Sequence, residues 1–265
     1  MATEQTPTLA ADLERFVKEQ ASRFGDVISY VPVPLTVGSI VLPPTKTPLP
    51  VGDRKSAVVL DGGLAGLEAK LAPYKDEKWM SATSLDIMQQ EIHDCQKCAL
   101  GATRNKLVFG VGNQQSKVLV IGEAPGADED EQGEPFVGRA GQLLNKMLAA
   151  VNFERSDVYI ANILKSRPPN NRDPKPEEVA ACEPYLWKQI LLLQPKLILC
   201  LGRVAGTNML KINESLGKMR GQIYDFHGIQ LMVTYHPAAL LRNPDWKHGA
   251  WEDLKKFRAM YDALA

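Results

Sequence analysis

Three short, mostly apolar runs constrain the fold of this chain more than any other feature. They occupy residues 118–121, 157–164 and 196–201, and each is followed by a loop and then by a helical pattern. A short apolar run closed by glycine or polar residues is typical of a strand buried on both faces. Strands alternating with helices predict a parallel sheet with helices on both sides. We therefore expect an α/β fold, a three-layer α/β/α sandwich with a central, mostly parallel sheet.

The remaining elements of this domain follow from periodicity and from start and stop signals. The signals are apolar residues at helical spacing, a proline followed by acidic residues, and a His-Gly turn between two apolar runs. They predict helices at residues 81–93, 139–151, 176–194, 203–210 and 248–263, and paired strands at 222–226 and 229–234.

The first 80 residues differ in character from the rest. Residues 8–24 have helical apolar spacing, which predicts a short amphipathic helix that could dock a protein partner, or else a partly ordered tail. Residues 31–52 hold six prolines, which favours an extended linker. Residues 53–79 show no sustained period, and we expect poor order there. The prediction is an N-terminal extension over 1–80 and one compact domain over 81–265.

Charge and cysteine content narrow the function classes. Lysine plus arginine equals aspartate plus glutamate at 31 each, so any nucleic-acid binding must come from a local patch rather than a global field. The apolar runs are too short to span a membrane, and the first ten residues lack the features of a signal peptide. Four cysteines without an export signal indicate a reducing compartment. We expect a cytoplasmic protein whose cysteines serve metal binding or catalysis.

Polar residues gather where the predicted strands end. Glu123 directly follows the strand at 118–121 and is followed by Ala-Pro-Gly, a tight turn. Open α/β sheets bind ligands at this carboxyl edge. The acidic run 128–131 is more often a solvated turn, whereas a carboxylate at the strand end itself favours a functional site.

Several motifs together resemble one family. They are Gly-Glu-Ala-Pro-Gly at 122–126, Glu-Asp at 129–130, Pro-Phe-Val-Gly at 135–138, Asn162, and His-Pro-Ala-Ala-Leu-Leu-Arg-Asn-Pro at 236–244. Their order and spacing resemble the class four, iron–sulfur uracil-DNA glycosylases over roughly residues 85–265. The resemblance implies excision of uracil from DNA by hydrolysis of the N-glycosidic bond of a flipped-out deoxyuridine. The product is an abasic site in base excision repair.

The resemblance also implies roles in binding the base. Phe136 matches the ring that stacks on uracil, and Asn162 matches the amide that reads its edge, since an amide both donates and accepts. His236 matches the donor to uracil O2, where negative charge develops, assisted by backbone amides at Glu123 and Ala124.

The carboxylate roles depart from the better-known uracil glycosylases. The position of their catalytic aspartate is occupied here by Ala124, and class four enzymes also lack this aspartate. Glu123 is therefore the first candidate to hold the water or the sugar cation, and Glu129 the second. The bulky residue that excludes thymine corresponds to Gly126, and we expect Glu129 to fill that space.

The loop after His236 is implied to contact DNA. Leu240 or Leu241 would be an apolar wedge, with Arg242 near a phosphate. Two leucines packed under a loop are the ordinary alternative. Arg167 and Arg172 are further candidates for phosphate contacts.

The cysteines indicate a metal site that departs from the family pattern. Cys95 and Cys98 form a C-x-x-C half-site, and Cys182 matches a third ligand of the family's [4Fe–4S] cluster. The fourth position is Ser166. Serine oxygen, the thiolate of Cys200 or a labile, partial cluster remain open alternatives, and a buried core cysteine is the usual interpretation for Cys200.

The sequence leaves further functions to be weighed. A glycosylase of broader base specificity would act on hypoxanthine or mismatched thymine, and a uracil-DNA binding protein would show little turnover. A nucleotide-binding α/β protein is disfavoured because the G-x-G-x-x-G and P-loop patterns are absent. We expect a monomer that binds uracil-containing DNA.

Overall fold

The computed structural model describes residues 59–60 and 63–264 of the chain. The helix expected at residues 8–24 and the linker expected at 31–52 lie outside the described residues. The described part is an α/β sandwich built on a mixed sheet, which confirms the predicted fold class.

The sheet has seven strands in the described residues, and its middle four are parallel. The spatial order is β1-β6-β7-β5-β3-β4-β2, with β2 and β6 antiparallel to their neighbours β4 and β7. The strands are β1 (Val59–Leu60), β2 (Val111–Gly112), β3 (Val118–Gly122), β4 (Tyr159–Asn162), β5 (Leu197–Leu201), β6 (Ile223–Phe226) and β7 (Ile229–Thr234). Because β3 has β4 on one side and β5 on the other, the strand order reverses there, and such a point opens a crevice at the carboxyl ends.

Nine α-helices surround the sheet in the described residues. They are α1 (Gly63–Leu71), α2 (Leu85–Ile92), α3 (Ala127–Gln132), α4 (Arg139–Ala150), α5 (Pro176–Leu193), α6 (Arg203–Leu210), α7 (Leu216–Met219), α8 (Pro237–Arg242) and α9 (Lys247–Asp262). None of the helices in the described part is long and apolar enough to cross a membrane.

Alternate residues of the central strands face opposite layers. Leu119 and Ile121 of β3 join the core beneath α1, α2, α5 and α6. Val118 and Val120 join a second core beneath α4 and α9. This period of two is what a strand imposes, and burial of both faces explains why the runs are apolar throughout.

Residues 63–81 differ from the expectation of poor order and from the expected domain start at 81. Helix α1 buries Leu67 and Leu71, and Trp79 is 3% exposed against Tyr185, with ring centroids 4.9 Å apart. Helix α1 carries two glycines among its nine residues, which weakens the local helical signal.

Three other local expectations were wrong. The helix predicted at 81–93 begins at Leu85, because Ser84 caps it by accepting the Ile87 N–H at 3.2 Å. The acidic run 128–131 lies in α3, and the loop expected after His236 contains α8. Both helices have only six residues, so apolar periodicity could not reveal them.

Candidate active site

Gly122 lets a ring and an amide meet at the ends of β3 and β4. Gly122 and Asn162 are register partners in the parallel pair. A Cβ at position 122 would lie 2.6 Å from Phe136 Cζ and would collide with Asn162 Oδ1. Glycine therefore allows Phe136 and Asn162 to converge on one point at the carboxyl edge.

Phe136 is held in an unusual backbone conformation. Its φ is 55°, a left-handed value that is uncommon for a bulky residue. Arg155 donates from Nη1 to the Phe136 carbonyl at 3.2 Å and from Nη2 to the Pro135 carbonyl at 2.6 Å. A Cβ at Gly141 would lie 2.8 Å from Phe136 Cα, so the start of α4 approaches this backbone closely. The surroundings hold the ring in place at a backbone cost, a pattern typical of functional sites.

Asn162 presents an unused acceptor. The residue is 2% exposed, and its Oδ1 has no hydrogen-bond partner among the described residues. A buried polar atom without a partner costs about 1–3 kcal/mol. Such an atom at a strand end suits a ligand that brings the missing donor.

His236 reaches the same place from the end of β7. Its ring centroid lies 5.6 Å from that of Phe136, with 34° between the planes. Gly202, at the end of β5, makes room for it, since a Cβ at position 202 would lie 3.0 Å from His236 Cβ. The end of β4 and the loops after β3 and β7 thus bring Asn162, Phe136 and His236 together.

The contacts of His236 determine its protonation. Burial, with a smaller contribution from Arg242, lowers the pKa of His236 to about 4, so the imidazole is neutral near neutral pH. Nδ1 accepts the Ala238 N–H at 3.2 Å as the cap of α8. The neutral ring must then carry its proton on Nε2, which makes Nε2 a hydrogen-bond donor.

Glu123 is a carboxyl group whose pKa lies near neutrality. Burial is the largest cause, the negative charge of Asp173 adds to it, and Arg203 opposes it; together they raise the pKa of Glu123 to about 7. Its backbone carbonyl accepts the Leu164 N–H at 3.0 Å, which ties the turn after β3 to the chain beyond β4.

Glu129 connects two loop segments. One carboxylate oxygen accepts the Gly126 N–H, and the other accepts the N–H groups of Val137 and Gly138, each at 3.0 Å. Asp130 is 2% exposed and accepts two hydrogen bonds from Asn105. Glu129 therefore organises the loop that carries Phe136, Asp130 ties α3 to Asn105, and the alternative of a solvated turn does not describe these two acids.

The two leucines of α8 have opposite environments. Leu240 is 1% exposed within the core beneath α4 and α9, so it is not available to enter DNA. Leu241 is 41% exposed and Arg242 is exposed. Of the loop arginines, Arg167 donates to Asn171 Oδ1 at 2.8 Å, and Arg172 makes a two-bond ion pair with Glu178 at 2.6 and 2.9 Å.

The predicted metal ligands lie in one region. Cys95 Sγ is 3.1 Å from Tyr185 Oη, and Cys182 accepts the Lys165 N–H at 3.4 Å. Burial raises the pKa of the Cys182 thiol to about 11, and the proximity of Cys98 and Cys95 adds to the rise. Arg104 links the carbonyl of Cys95, at 2.5 Å, to Ser166 Oγ, at 3.3 Å.

This region does not itself present a formed metal site. Within residues 59–60 and 63–264, no three His, Cys, Asp or Glu side chains are arranged to hold a metal ion. Cys200 is fully buried inside β5, and burial alone raises the pKa of its thiol. That environment agrees with a core cysteine.

Arg155 and Lys165 were missed by the sequence analysis. Arg155 fixes the Phe136 loop from 20 residues away in the chain. Lys165 is a fully buried lysine just after β4. Neither residue is marked by a local signal, since Lys165 opens the polar segment Lys-Ser-Arg-Pro-Pro.

The chain is similar in sequence to known proteins. The family model of the uracil DNA glycosylase superfamily matches residues 109–255. A type-4 uracil-DNA glycosylase of Archaeoglobus fulgidus is 44% identical over 181 residues, covering 65% of this chain and 91% of the relative. One of Thermotoga maritima is 39% identical, covering 66% and 93%. A type-5 uracil-DNA glycosylase of Pyrobaculum aerophilum is 30% identical, covering 49% and 64%.

Proposed function

Because the chain belongs to the uracil DNA glycosylase superfamily, we propose that its carboxyl-edge site removes uracil from DNA in base excision repair. The enzyme is a hydrolase of N-glycosyl bonds that acts on a DNA substrate. Convergence of Phe136, Asn162 and His236 beside Gly122 is the observation that carries the assignment of the site.

We propose that Asn162 reads the base and Phe136 stacks on it. A base must leave the duplex to be reached, and a pocket then holds it by stacking and edge contacts. The unpartnered Oδ1 of Asn162 can accept the uracil N3–H, while its amide can donate to O4. Cytosine has no N3–H, so the same amide disfavours it.

The leaving base needs a donor where its charge develops. Cleavage of the glycosidic bond leaves negative charge on uracil, part of it on O2. The Nε2–H of neutral His236 is the donor proposed there, with backbone amides of the turn at Ala124 beside it. The neutral imidazole keeps its Nε2–H near neutral pH, so the donor is in place before negative charge develops on the base.

The sugar cation and the attacking water need an anion. Glu123 is proposed for this role, since it stands at the end of β3 and ionises near neutral pH. Glu129 is proposed to position the loop that carries Phe136, because its two oxygens already accept three backbone amides.

DNA contacts are proposed for α8 and the loop after β4. Leu241 is the wedge, since it is the exposed member of the leucine pair. Arg242 and Arg167 would contact phosphates.

We propose that the cysteine region holds a [4Fe–4S] cluster. Cys95, Cys98 and Cys182 are proposed as three thiolate ligands, and the buried hydroxyl of Ser166, which accepts a hydrogen bond from Arg104, is the candidate for the fourth. The proposed cluster would be structural, joining the segment before β2, the loop after β4 and α5. We further propose a cytoplasmic monomer, since cysteines that serve as cluster ligands suit a reducing compartment.

Release of free uracil from a uracil-containing oligonucleotide tests this function. Matched oligonucleotides with thymine, cytosine and hypoxanthine at the same position are the controls. The proposal requires release of uracil alone. Retention of uracil-DNA without release would identify a binding protein, and release of hypoxanthine or thymine would identify a broader glycosylase.

A further inference from the structure

Lys165 is a buried ionisable side chain that has no part in the chemistry proposed above. It is 1% exposed and belongs to the largest fully buried side chains of the described residues. A lysine is almost never fully buried unless its amine is bonded. Its Nζ donates to the main-chain carbonyl of Asn162 at 2.9 Å and to Gln189 Oε1 at 2.6 Å.

These bonds fix the peptide unit that joins Asn162 to Ile163. The N–H of this unit, from Ile163, donates to the Gly122 carbonyl at 3.0 Å. Its carbonyl accepts from Lys165. Because both polar ends are held, the unit cannot rotate, and the direction of the Asn162 side chain is set against β3.

The side chains of Lys165 and Gln189 make their hydrogen bonds beyond the point where β4 pairs with β2. The β2–β4 pairing runs through Val111 with Ile160 and Gly112 with Tyr159, and β2 begins at Val111. Beyond that point, Lys165 and Gln189 take over: Gln189 Nε2 donates to the Phe109 carbonyl at 3.0 Å. The side chains therefore extend the hydrogen-bonded connection as far as the residue that reads the base.

We propose that Lys165 is a positioning residue for uracil recognition, which holds the Asn162 amide in its reading orientation through the main chain. The inference rests on the proposed role of Asn162. Without this anchor, the side-chain amide of Asn162 can move from its reading orientation. A misplacement of about 1 Å can cost about 10²-fold in rate.

The test compares Lys165→Met with Lys188→Met. Methionine retains most of the apolar stem and removes the donors. Lys188 lies on α5 and also donates to a main-chain carbonyl, that of Met80 at 2.9 Å, which makes it a matched control. Single-turnover uracil excision should slow by about 10- to 100-fold in Lys165→Met and stay near wild type in Lys188→Met. The concentration of free uracil that gives half-inhibition should rise only in Lys165→Met.

A double-mutant cycle separates positioning from general destabilisation. In an Asn162→Ala background, Lys165→Met should cause less than about a twofold further loss, since the group it positions is gone. An equal loss in both backgrounds, or unchanged inhibition by free uracil, would overturn the inference. If Asn162→Ala itself excises uracil normally, the proposed function of Asn162 fails instead, and the two failures are distinguishable.

Discussion

Ionisation of Glu123 should control the pH dependence of uracil excision. If the carboxylate must be charged to hold water or the sugar cation, the rate follows its ionised fraction. Burial and Asp173 raise the pKa of Glu123 to about 7. At about pH 5 only about 1% of this group is ionised, so the rate should lie about 100-fold below its plateau above about pH 8.

Burial lowers the pKa of Lys165 to about 7, within this range, so the Glu123→Gln variant is needed to assign the pH dependence to Glu123, whereas His236 titrates outside it. The pKa of His236 is lowered to about 4, so its ring stays neutral across the measurement. Single-turnover release of uracil, measured from about pH 5 to about pH 8.5 at constant ionic strength, gives the pH–rate profile. The limb of this profile in which the rate rises with pH reports the ionisation of Glu123. Glu123→Gln should abolish the limb together with most of the activity, and Glu131→Gln, at an exposed acid of the nearby helix α3, should retain both.

Removing the charge of either of two neighbours of Glu123 should shift the limb of the pH–rate profile by a smaller amount and in a definite direction. Asp173→Asn removes a negative charge that raises the pKa of Glu123, so the limb should move to lower pH. Arg203→Gln removes an opposing positive charge and should move the limb to higher pH. A rate independent of pH between about pH 5 and pH 8, or a limb that persists in Glu123→Gln, would refute this role of Glu123.

The same pKa shift predicts a stability difference with a definite sign. A carboxyl whose pKa rises on folding stabilises the fold below its unfolded value of 4.5, and this contribution is lost as pH rises through about 7. The loss amounts to at most about 3 kcal/mol. Glu123→Gln should therefore raise Tm relative to wild type at about pH 8 but not at about pH 4.

Three further predictions concern other parts of the site. His236→Ala should slow excision by about 10²–10³-fold, the usual loss of one oxyanion donor, and an unchanged rate would remove it from that role. Leu241→Ala should reduce excision from duplex DNA while Tm stays constant; Leu240→Ala should lower stability by about 2–5 kcal/mol because it empties a core position. The reverse pattern would contradict the choice of wedge. Ser166→Cys should raise the iron bound per chain and prolong the brown colour in air, since iron prefers sulfur to oxygen. Colourless, iron-free protein after anaerobic preparation of both forms would contradict the cluster.

Much of the central fold could be predicted from local patterns. The strands at 118, 159 and 197 are apolar on both faces, and α5 begins at a proline and ends where Gln194 adopts a left-handed conformation. These signals depend on neighbours in the chain. The segment at 63–81 could not be recognised, because its order depends on Trp79 and Leu67 packing against a distant helix.

The site shows the same division between local and long-range signals. Gly122, Asn162 and His236 lie at or just after predicted strands, so their convergence follows from a parallel sheet, whereas the position of Phe136 depends on the loop after α3. The choice between Leu240 and Leu241 required the phase of a six-residue helix. Arg155 and Lys165 act through main-chain carbonyls, and such contacts leave no pattern in the sequence.

The central claim is that one buried amide at the end of β4 reads uracil beside the ring of Phe136. Single-turnover release of uracil by wild type and by Asn162→Ala, on one oligonucleotide, tests it most directly. We predict release by the wild-type enzyme and a rate at least about 10²-fold lower in the variant, in line with loss of a required polar contact. Equal rates in the two proteins would contradict the account.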